Sequence, residues 1–295
     1  MTEGDSAVSF APLRPRLVRI AYRMLGSLAE AEDIVQDAYL RWHKTDRAAV
    51  RDPGAFLSRI VTRLCLDQIK SAHARRETYI GPWLPEPIVE MEEDHKDEVT
   101  LTLMLALERL SPLERAAFLL HDVFGMAFEE VAKAIERDPA ACRQLAARAR
   151  LHVQAARPRF PVSKEHGQDI VAAFFAASRQ GDVGGLQKLL ASDVIAYTDG
   201  GGKAAAALNP LYGADKISRF FAGLARKHAH EEPEGRPVFC TIDGLPGVML
   251  VGETGVVQTT ALEVEDGRIV AIYITRNPDK LSRIPTRGLD RPLPH

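Results

Sequence analysis

Tyr197, Asp199, Asp243 and Glu263 are residue types that can pass protons between a substrate and a protein. They could serve as acid and base if the fold brought two of them into one pocket, but their spacing selects no pair. His228-x-His230 is the closest histidine pair. No third ligand stands near it, so no metal is expected there. Asp199-Gly200-Gly201-Gly202-Lys203 sets three glycines between an acid and a base. It lacks the spacing and the following helix of a phosphate loop. It reads either as a turn after a strand or as a contact loop for another part of the chain. Cys65, Cys142 and Cys240 lie far apart, form no zinc pattern and fit a reducing cytosol. No cofactor is expected.

The first half offers a different chemistry, the hydrogen-bond donors and acceptors that read a duplex. Phe128–Ile135 has the pattern of an amphipathic helix, Glu136-Arg137-Asp138 of a tight turn, and Pro139–His152 of a second helix. Asp138 suits the N-cap and Pro139 the first helical position. On a helical wheel Cys142, Leu145, Ala149 and Val153 share one side. Ala140, Gln144, Ala147 and Arg148 share the other, with Arg143 and Arg150 on the flanks and Leu151 left outward. Small residues at the front allow close approach to the groove floor, Gln and Arg can reach base edges, and the flanking arginines can reach phosphates. An ordinary helical hairpin would show the same spacing.

Further upstream, Ala31–Trp42 carries two faces. Ile34, Val35, Ala38 and Trp42 form an apolar stripe at helical spacing, while Asp33, Gln36, Asp37 and Leu40 form a polar face interrupted by one leucine. Such a leucine is either a protein-interface anchor or the edge of a wide core stripe. The loop His43–Arg51 holds Lys44, Arg47 and Arg51, and Ala55–Arg76 holds Arg59, Arg63, Lys70, Arg75 and Arg76. These cations could track phosphates, or could simply face water.

The elements that must position these groups fall into several pieces. The chain has 295 residues, 46% apolar and 26% charged, with a formal net charge of −2. It can bury real cores, yet it lacks the basic surplus of a stand-alone DNA binder. If DNA is its partner, something else holds it there. No apolar run could span a bilayer, and Met1–Phe10 shows no signal pattern. Cytoplasmic residence is the expectation. Leu13–Glu77 reads as helical, broken at Gly26-Ser27 and again before Asp52-Pro53-Gly54. The prolines of Gly81–Pro87 force an extended course, an acidic stretch Glu90–Glu98 follows, and helices resume from Val99 to about Ala156. Pro158 and Pro161 mark a joint. Beyond it, Gln168–Arg179, Val183–Leu190 and Ala214–Lys227 read as helices. Pro237–Ile242, Val248–Val251, Val256–Val264 and Arg268–Thr275 read as strands, separated by the turns Asp243–Gly247 and Glu265–Gly267. Helices followed by antiparallel strands argue α+β.

Together, Tyr22–Ser27, Ala31–Trp42, Phe56–Lys70 and Leu110–Arg150 resemble the bacterial RNA polymerase sigma factors of the extracytoplasmic-function group, which keep only regions 2 and 4. The second half resembles a SnoaL-like cone domain. Trp83-Leu84-Pro85-Glu86-Pro87, Asp199–Lys203 and Asn277-Pro278-Asp279-Lys280-Leu281 match the motifs of the subgroup that carries this extension. The resemblance implies a multidomain chain: two all-α sigma domains, a region 2 helical bundle and a region 4 helix-turn-helix, followed by the α+β extension. The divisions are region 2 at 8–78, a linker at 79–98, region 4 at 99–158, the extension at 165–281 and a loose tail at 282–295. It implies that Asp33, Gln36, Asp37 and Leu40 bind the β′ clamp of core RNA polymerase, with the β flap as a further contact. Lys44, Arg47, Arg51, Arg59, Arg63 and Lys70 would serve the −10 element, and Ala140, Arg143, Gln144, Ala147, Arg148 and Arg150 the −35 element. The extension would regulate in cis through Trp83, Leu84, Asp199, Gly200, Gly201, Gly202, Lys203, Asn277, Pro278, Asp279, Lys280 and Leu281. Trp83 is expected to pack into the extension or between domains, and Asn277–Leu281 to clasp the extension onto region 2 or 4. Polymerase as carrier also resolves the charge puzzle. The expected partners are core polymerase and promoter DNA, without membrane; an unidentified small ligand in the extension stays open. The alternative is an enzymatic or ligand-sensing SnoaL-like domain on a helix-turn-helix regulator, which leaves Ala31–Trp42 without a task. A roomy polar cavity would favour that alternative, and a filled cone a structural regulator.

Overall fold

The computed structural model describes residues 3–76, 79–90, 100–154, 164–230 and 235–285. The acidic stretch 91–98, the joint at Pro158 and Pro161, the tail from 286 and the side chains of Arg75 and Arg76 lie outside the described residues. The chain divides into two compact units, one of Met1–Thr78 with Leu103–Arg157, the other of Tyr79–Thr102 with Pro158–His295. The region 2 and region 4 segments fall into one unit, and the linker segment Tyr79–Thr102 counts with the extension.

The first unit contains α1 (Glu3–Phe10), α2 (Arg14–Leu25), α3 (Leu28–His43) and α4 (Pro53–Arg76), then all but the first two residues of α5 (Leu101–Glu108), α6 (Pro112–Phe118), α7 (Phe128–Ile135) and α8 (Pro139–Gln154). Gly26 ends α2 in the left-handed region (φ 70°), and its N–H bonds Tyr22 O. Ser27 then starts α3 by accepting from Glu30 N. The stripe Ile34, Val35, Ala38 and Trp42 is buried as its spacing requires, and Trp42 donates from Nε1 to Ser9 Oγ at 3.2 Å. A capping box between Ser111 and Glu114 opens α6. Glu136 ends α7 with φ 56°, and Asp138 opens α8 by accepting from Ala141 N at 2.8 Å. That bond holds the Asp138 carboxyl below its ordinary range.

The region 2 and region 4 helices share one unit because polar bonds cross between them. Arg115 on α6, 4% exposed, donates to Met24 O at 2.8 Å and to Leu107 O at 2.8 Å, and pairs with Glu108 at 2.7 Å. Arg63 on α4 donates to Lys133 O at 3.0 Å.

In the second unit α9 (Lys164–Gln180), α10 (Val183–Leu189) and α11 (Ala214–Lys227) pack on a seven-stranded sheet in the order β1-β4-β5-β6-β7-β2-β3. The strands are β1 (Val89–Glu90), β2 (Leu190–Asp199), β3 (Leu211–Tyr212), β4 (Arg236–Ile242), β5 (Leu245–Gly252), β6 (Gly255–Glu265) and β7 (Arg268–Thr275). All neighbours are antiparallel except β2 and β7. The turns are tighter than expected. Asp243-Gly244 and Asp266-Gly267 have positive φ at both positions, as two-residue hairpin turns require. Leu245–Gly247 and Glu265 therefore belong to strands. Phe174, Phe221, Val248, Leu262, Ile272 and Ile274 sit in the helix–sheet core. A short α12 (Pro278–Leu281) comes after β7. The tail is fixed a little further than expected, because Ile284 N bonds Leu281 O and its side chain is buried.

Candidate functional site

Three sequence motifs far apart in the chain meet at one carboxylate. Asp199 ends β2 with no exposed surface. Its side chain accepts from Tyr79 Oη at 2.5 Å, from Leu84 N at 2.9 Å and from Lys280 Nζ at 2.7 Å. Its backbone oxygen accepts from Arg276 N and Asn277 N at 2.7 and 3.0 Å. Lys280 also donates to Leu84 O, and its ammonium lies 4.3 Å from the centre of the Trp83 ring and 5.0 Å from that of Tyr79. Asn277 donates to Tyr79 Oη at 2.9 Å and caps α12 by accepting from Asp279 N at 3.1 Å. Lys203 pairs with Asp279 at 2.5 Å on the outside.

Two of the glycines are explained by close approach. At Gly201 (φ 57°) a Cβ would strike the Asn277 amide, and at Gly200 it would strike the Ala204 carbonyl. Asn277–Leu281 thus closes on linker residues; the buried Asp199–Lys280 pair needs the Leu84 backbone to complete its hydrogen bonding. Trp83 is half-buried, and Leu84 is 1% exposed. The linker is also stitched to the sheet. Val89 pairs with Ile242, Ile88 N donates to Asp243 Oδ2 at 3.3 Å, and Asp243 O accepts from Leu101 N at 2.9 Å.

The four residues with acid–base potential do not converge in a cavity. Tyr197 and Asp199 alternate with the core residues Val194 and Ala196. Glu263 alternates with Leu262 and Val264. These polar residues therefore point from the sheet face away from the core. Each has a structural engagement. Tyr197 stacks on Tyr273, and Glu263 accepts from Tyr273 Oη at 2.8 Å. An open depression of about 560 Å³ elsewhere on the unit is lined by Gln187, Ser192, Tyr212, Asp215, Lys216 and Arg268, and by none of the four. Burial raises the Glu263 carboxyl above its ordinary range. A buried acid with a raised pKa destabilises the fold above that pKa, and the penalty fades as pH falls through it. Glu263→Gln keeps an acceptor for Tyr273, so it should raise the melting temperature near neutral pH by about 2–4 °C for each kcal/mol relieved. The gain should shrink on acidification. Calorimetry giving the same difference at every pH would refute this account.

In the first unit the expected polymerase-binding residues Asp33, Gln36, Asp37 and Leu40 all lie exposed on α3. The expected −10 loop forms a short 3₁₀ turn, Arg47–Ala49, capped by Asp46. Nε and Nη1 of Arg47 are buried with no acceptor among the described residues. Lys44 and Arg51 are exposed. Arg59 lies over the Phe56 ring at 5.3 Å, Lys70 pairs with Asp67 at 3.4 Å, and Arg63 pairs with Glu136 at 2.9 Å. On α8, Ala140, Arg143, Gln144, Ala147 and Arg148 are exposed while Cys142, Ala146, Ala149 and Val153 are buried. Arg143 lies over the Phe128 ring at 5.7 Å, and Arg150 pairs with Asp122 at 2.7 Å. Leu151 is exposed, in line with its place on the helical wheel. Sequence reasoning missed Tyr79, Arg115 and Glu136. Each has a partner distant in sequence, Asp199, Met24 and Arg63 respectively, and no local pattern marks it.

Comparison with known proteins bears on both halves. Residues 10–76 match the family Sigma-70 region 2, and residues 100–153 match Sigma-70, region 4. The chain is 37% identical to the ECF RNA polymerase sigma factor SigJ of Mycobacterium tuberculosis, across 94% of each chain. It is 32% identical to the probable ECF RNA polymerase sigma factor SigI of the same species, across 91% of this chain and 92% of that one. The crystal structure of the M. tuberculosis extracytoplasmic function sigma factor SigJ superposes with a TM-score of 0.74 at 36% identity, covering 95% of this chain and 99% of that one. No helix among the described residues is long and apolar enough to cross a membrane.

Proposed function

This chain belongs to the extracytoplasmic-function sigma factors of RNA polymerase, and from that premise we propose that it carries core polymerase to promoters under the control of its own SnoaL-like C-terminal domain. Asp33, Gln36, Asp37 and Leu40 dock on the β′ clamp. Their exposure beside a buried stripe on the same helix supports this. Lys44, Arg47, Arg51, Arg59, Arg63 and Lys70 serve the −10 element. Ala140, Arg143, Gln144, Ala147, Arg148 and Arg150 serve the −35 element, with the β flap holding region 4.

The observation that carries control in cis is the meeting of all three extension motifs at Asp199. The linker between regions 2 and 4 is bound by backbone and side chain into the extension, so the extension governs how freely the two regions can separate. Asp199, Asp243 and Glu263 are engaged in structural bonds, and control through the clasp requires no small ligand.

Run-off transcription with core polymerase tests the proposal. Full-length protein should be compared with versions ending near Phe160 and near Thr275. The version ending near Thr275 loses Asn277 and Lys280, and its transcript yield should shift several-fold from that of the full chain. Equal yields would defeat regulation by the clasp. No transcription from any version would defeat the sigma-factor reading itself.

A further inference from the structure

Among the described residues, three arginines join region 2 helices to region 4 helices by donating to backbone carbonyls at helix ends. Arg115 reaches Met24 O in the last turn of α2, Arg63 reaches Lys133 O in the last turn of α7, and Arg16 reaches Phe124 O at 3.0 Å. Helix C-termini carry partial negative charge, so a guanidinium is well placed at each. Arg63 also makes a side-chain contact that crosses between the regions. Its Nη2 lies 2.9 Å from Oε1 of Glu136, the residue that ends α7.

Glu136 holds a left-handed backbone, φ 56° and ψ 50°, a conformation that glycine or asparagine adopts most readily. A glutamate there is unfavourable locally, and its carboxylate ends on a cation that α4 offers to the turn. The guanidinium fork fits a carboxylate and a phosphate in the same way. Nη2 of Arg63 already serves Glu136 and Lys133 O, so a phosphate that takes this edge of the guanidinium displaces Glu136 from it. The two promoter elements are separated by about 25 base pairs, or about 85 Å at 3.4 Å each. Reading both elements at that spacing favours a form in which Arg63 and Glu136 are apart.

We propose that Glu136 is a built-in stand-in for a DNA phosphate at Arg63: in the free protein it closes region 4 onto region 2, and a backbone phosphate of the duplex displaces it when the regions part. This rests on the reading of α4 as a promoter-contacting helix. Both partners are substantially exposed, with side chains at 45% and 70% of full accessibility, so the ion pair contributes modestly. A latch that DNA must open is expected to be of this strength.

The test uses the full chain labelled for energy transfer at Asp67→Cys and Gln154→Cys, two exposed sites, with the native cysteines buried. Glu136→Asn suits the backbone and removes the carboxylate, while Glu136→Gln keeps the size. Both should raise the separated population about two- to fivefold. Both should tighten binding to a 20-base-pair duplex of random sequence by a similar factor. In an Arg63→Gln background neither change at position 136 should have an effect. Unchanged separation in both variants, separation without tighter duplex binding, or an effect that persists in the Arg63→Gln background would each overturn the proposal. Capture by core polymerase, measured on the same samples, reports separately on the sigma-factor reading.

Discussion

Lys280→Met is expected to destabilise the C-terminal unit by about 3–5 kcal/mol, because it strands a fully buried carboxylate without its cation. Three things fail together. Asp199 loses its charge partner, the Leu84 carbonyl loses a donor, and the Trp83 ring loses the ammonium above it. The effect of charge can be separated from simple loss of packing by the double variant Asp199→Asn/Lys280→Met. There the buried charge is gone, so much of the stability should return. Chemical denaturation gives the magnitude, and hydrogen exchange at Leu84 N and Ile88 N reports whether the linker comes loose. If the single variant unfolds at the same denaturant concentration as the parent, the clasp contributes nothing and the regulatory reading loses its physical basis.

Joint Asp33→Lys/Asp37→Lys should weaken capture by core polymerase about a hundredfold or more, the range seen when charges meet their like across an interface. Both side chains are exposed on α3, away from the buried stripe, so the fold should be nearly unaffected. Filter or biolayer binding to purified core enzyme measures the effect, and an unchanged melting curve guards against misfolding. Retained capture would remove the polymerase-docking role from this face. Leu40, half exposed beside the two acids, is the residue whose truncation to alanine separates a hydrophobic anchor from a purely electrostatic surface.

The features legible in the residues taken in order were local ones. α11 and β7 form over the expected residues, Ala214–Lys227 and Arg268–Thr275, because an amphipathic period and an Asp-Gly turn declare themselves within a few positions. The second helix of the helix-turn-helix begins at Pro139 because Asp138 caps the backbone N–H groups immediately after it. The strand Val89–Glu90 was not legible. Two residues show no alternation, and their pairing depends on β4 some 150 positions later. The same holds for Tyr79, whose partner Asp199 is 120 residues away. The motifs at 199–203 and 277–281 could be singled out, but nothing in their sequence said that both close on Tyr79 and Leu84. Arg63 could be named as a cation for phosphates; its present acceptor, Glu136, looked like an ordinary turn residue until the chain was folded.

The two-residue strand of the linker has a consequence for inheritance. The border strand β4 receives its neighbour from the segment between the two promoter readers, and Asp243 receives hydrogen bonds from Ile88 and Leu101 of that segment. A gene fusion that grafted only the carboxy-terminal half onto another sigma factor would bring a sheet with one raw margin and an Asp199 stripped of the Tyr79 and Leu84 donors. Descent should therefore move the connecting segment and the appended domain as a single cassette, even though the first helix of region 4 begins within it.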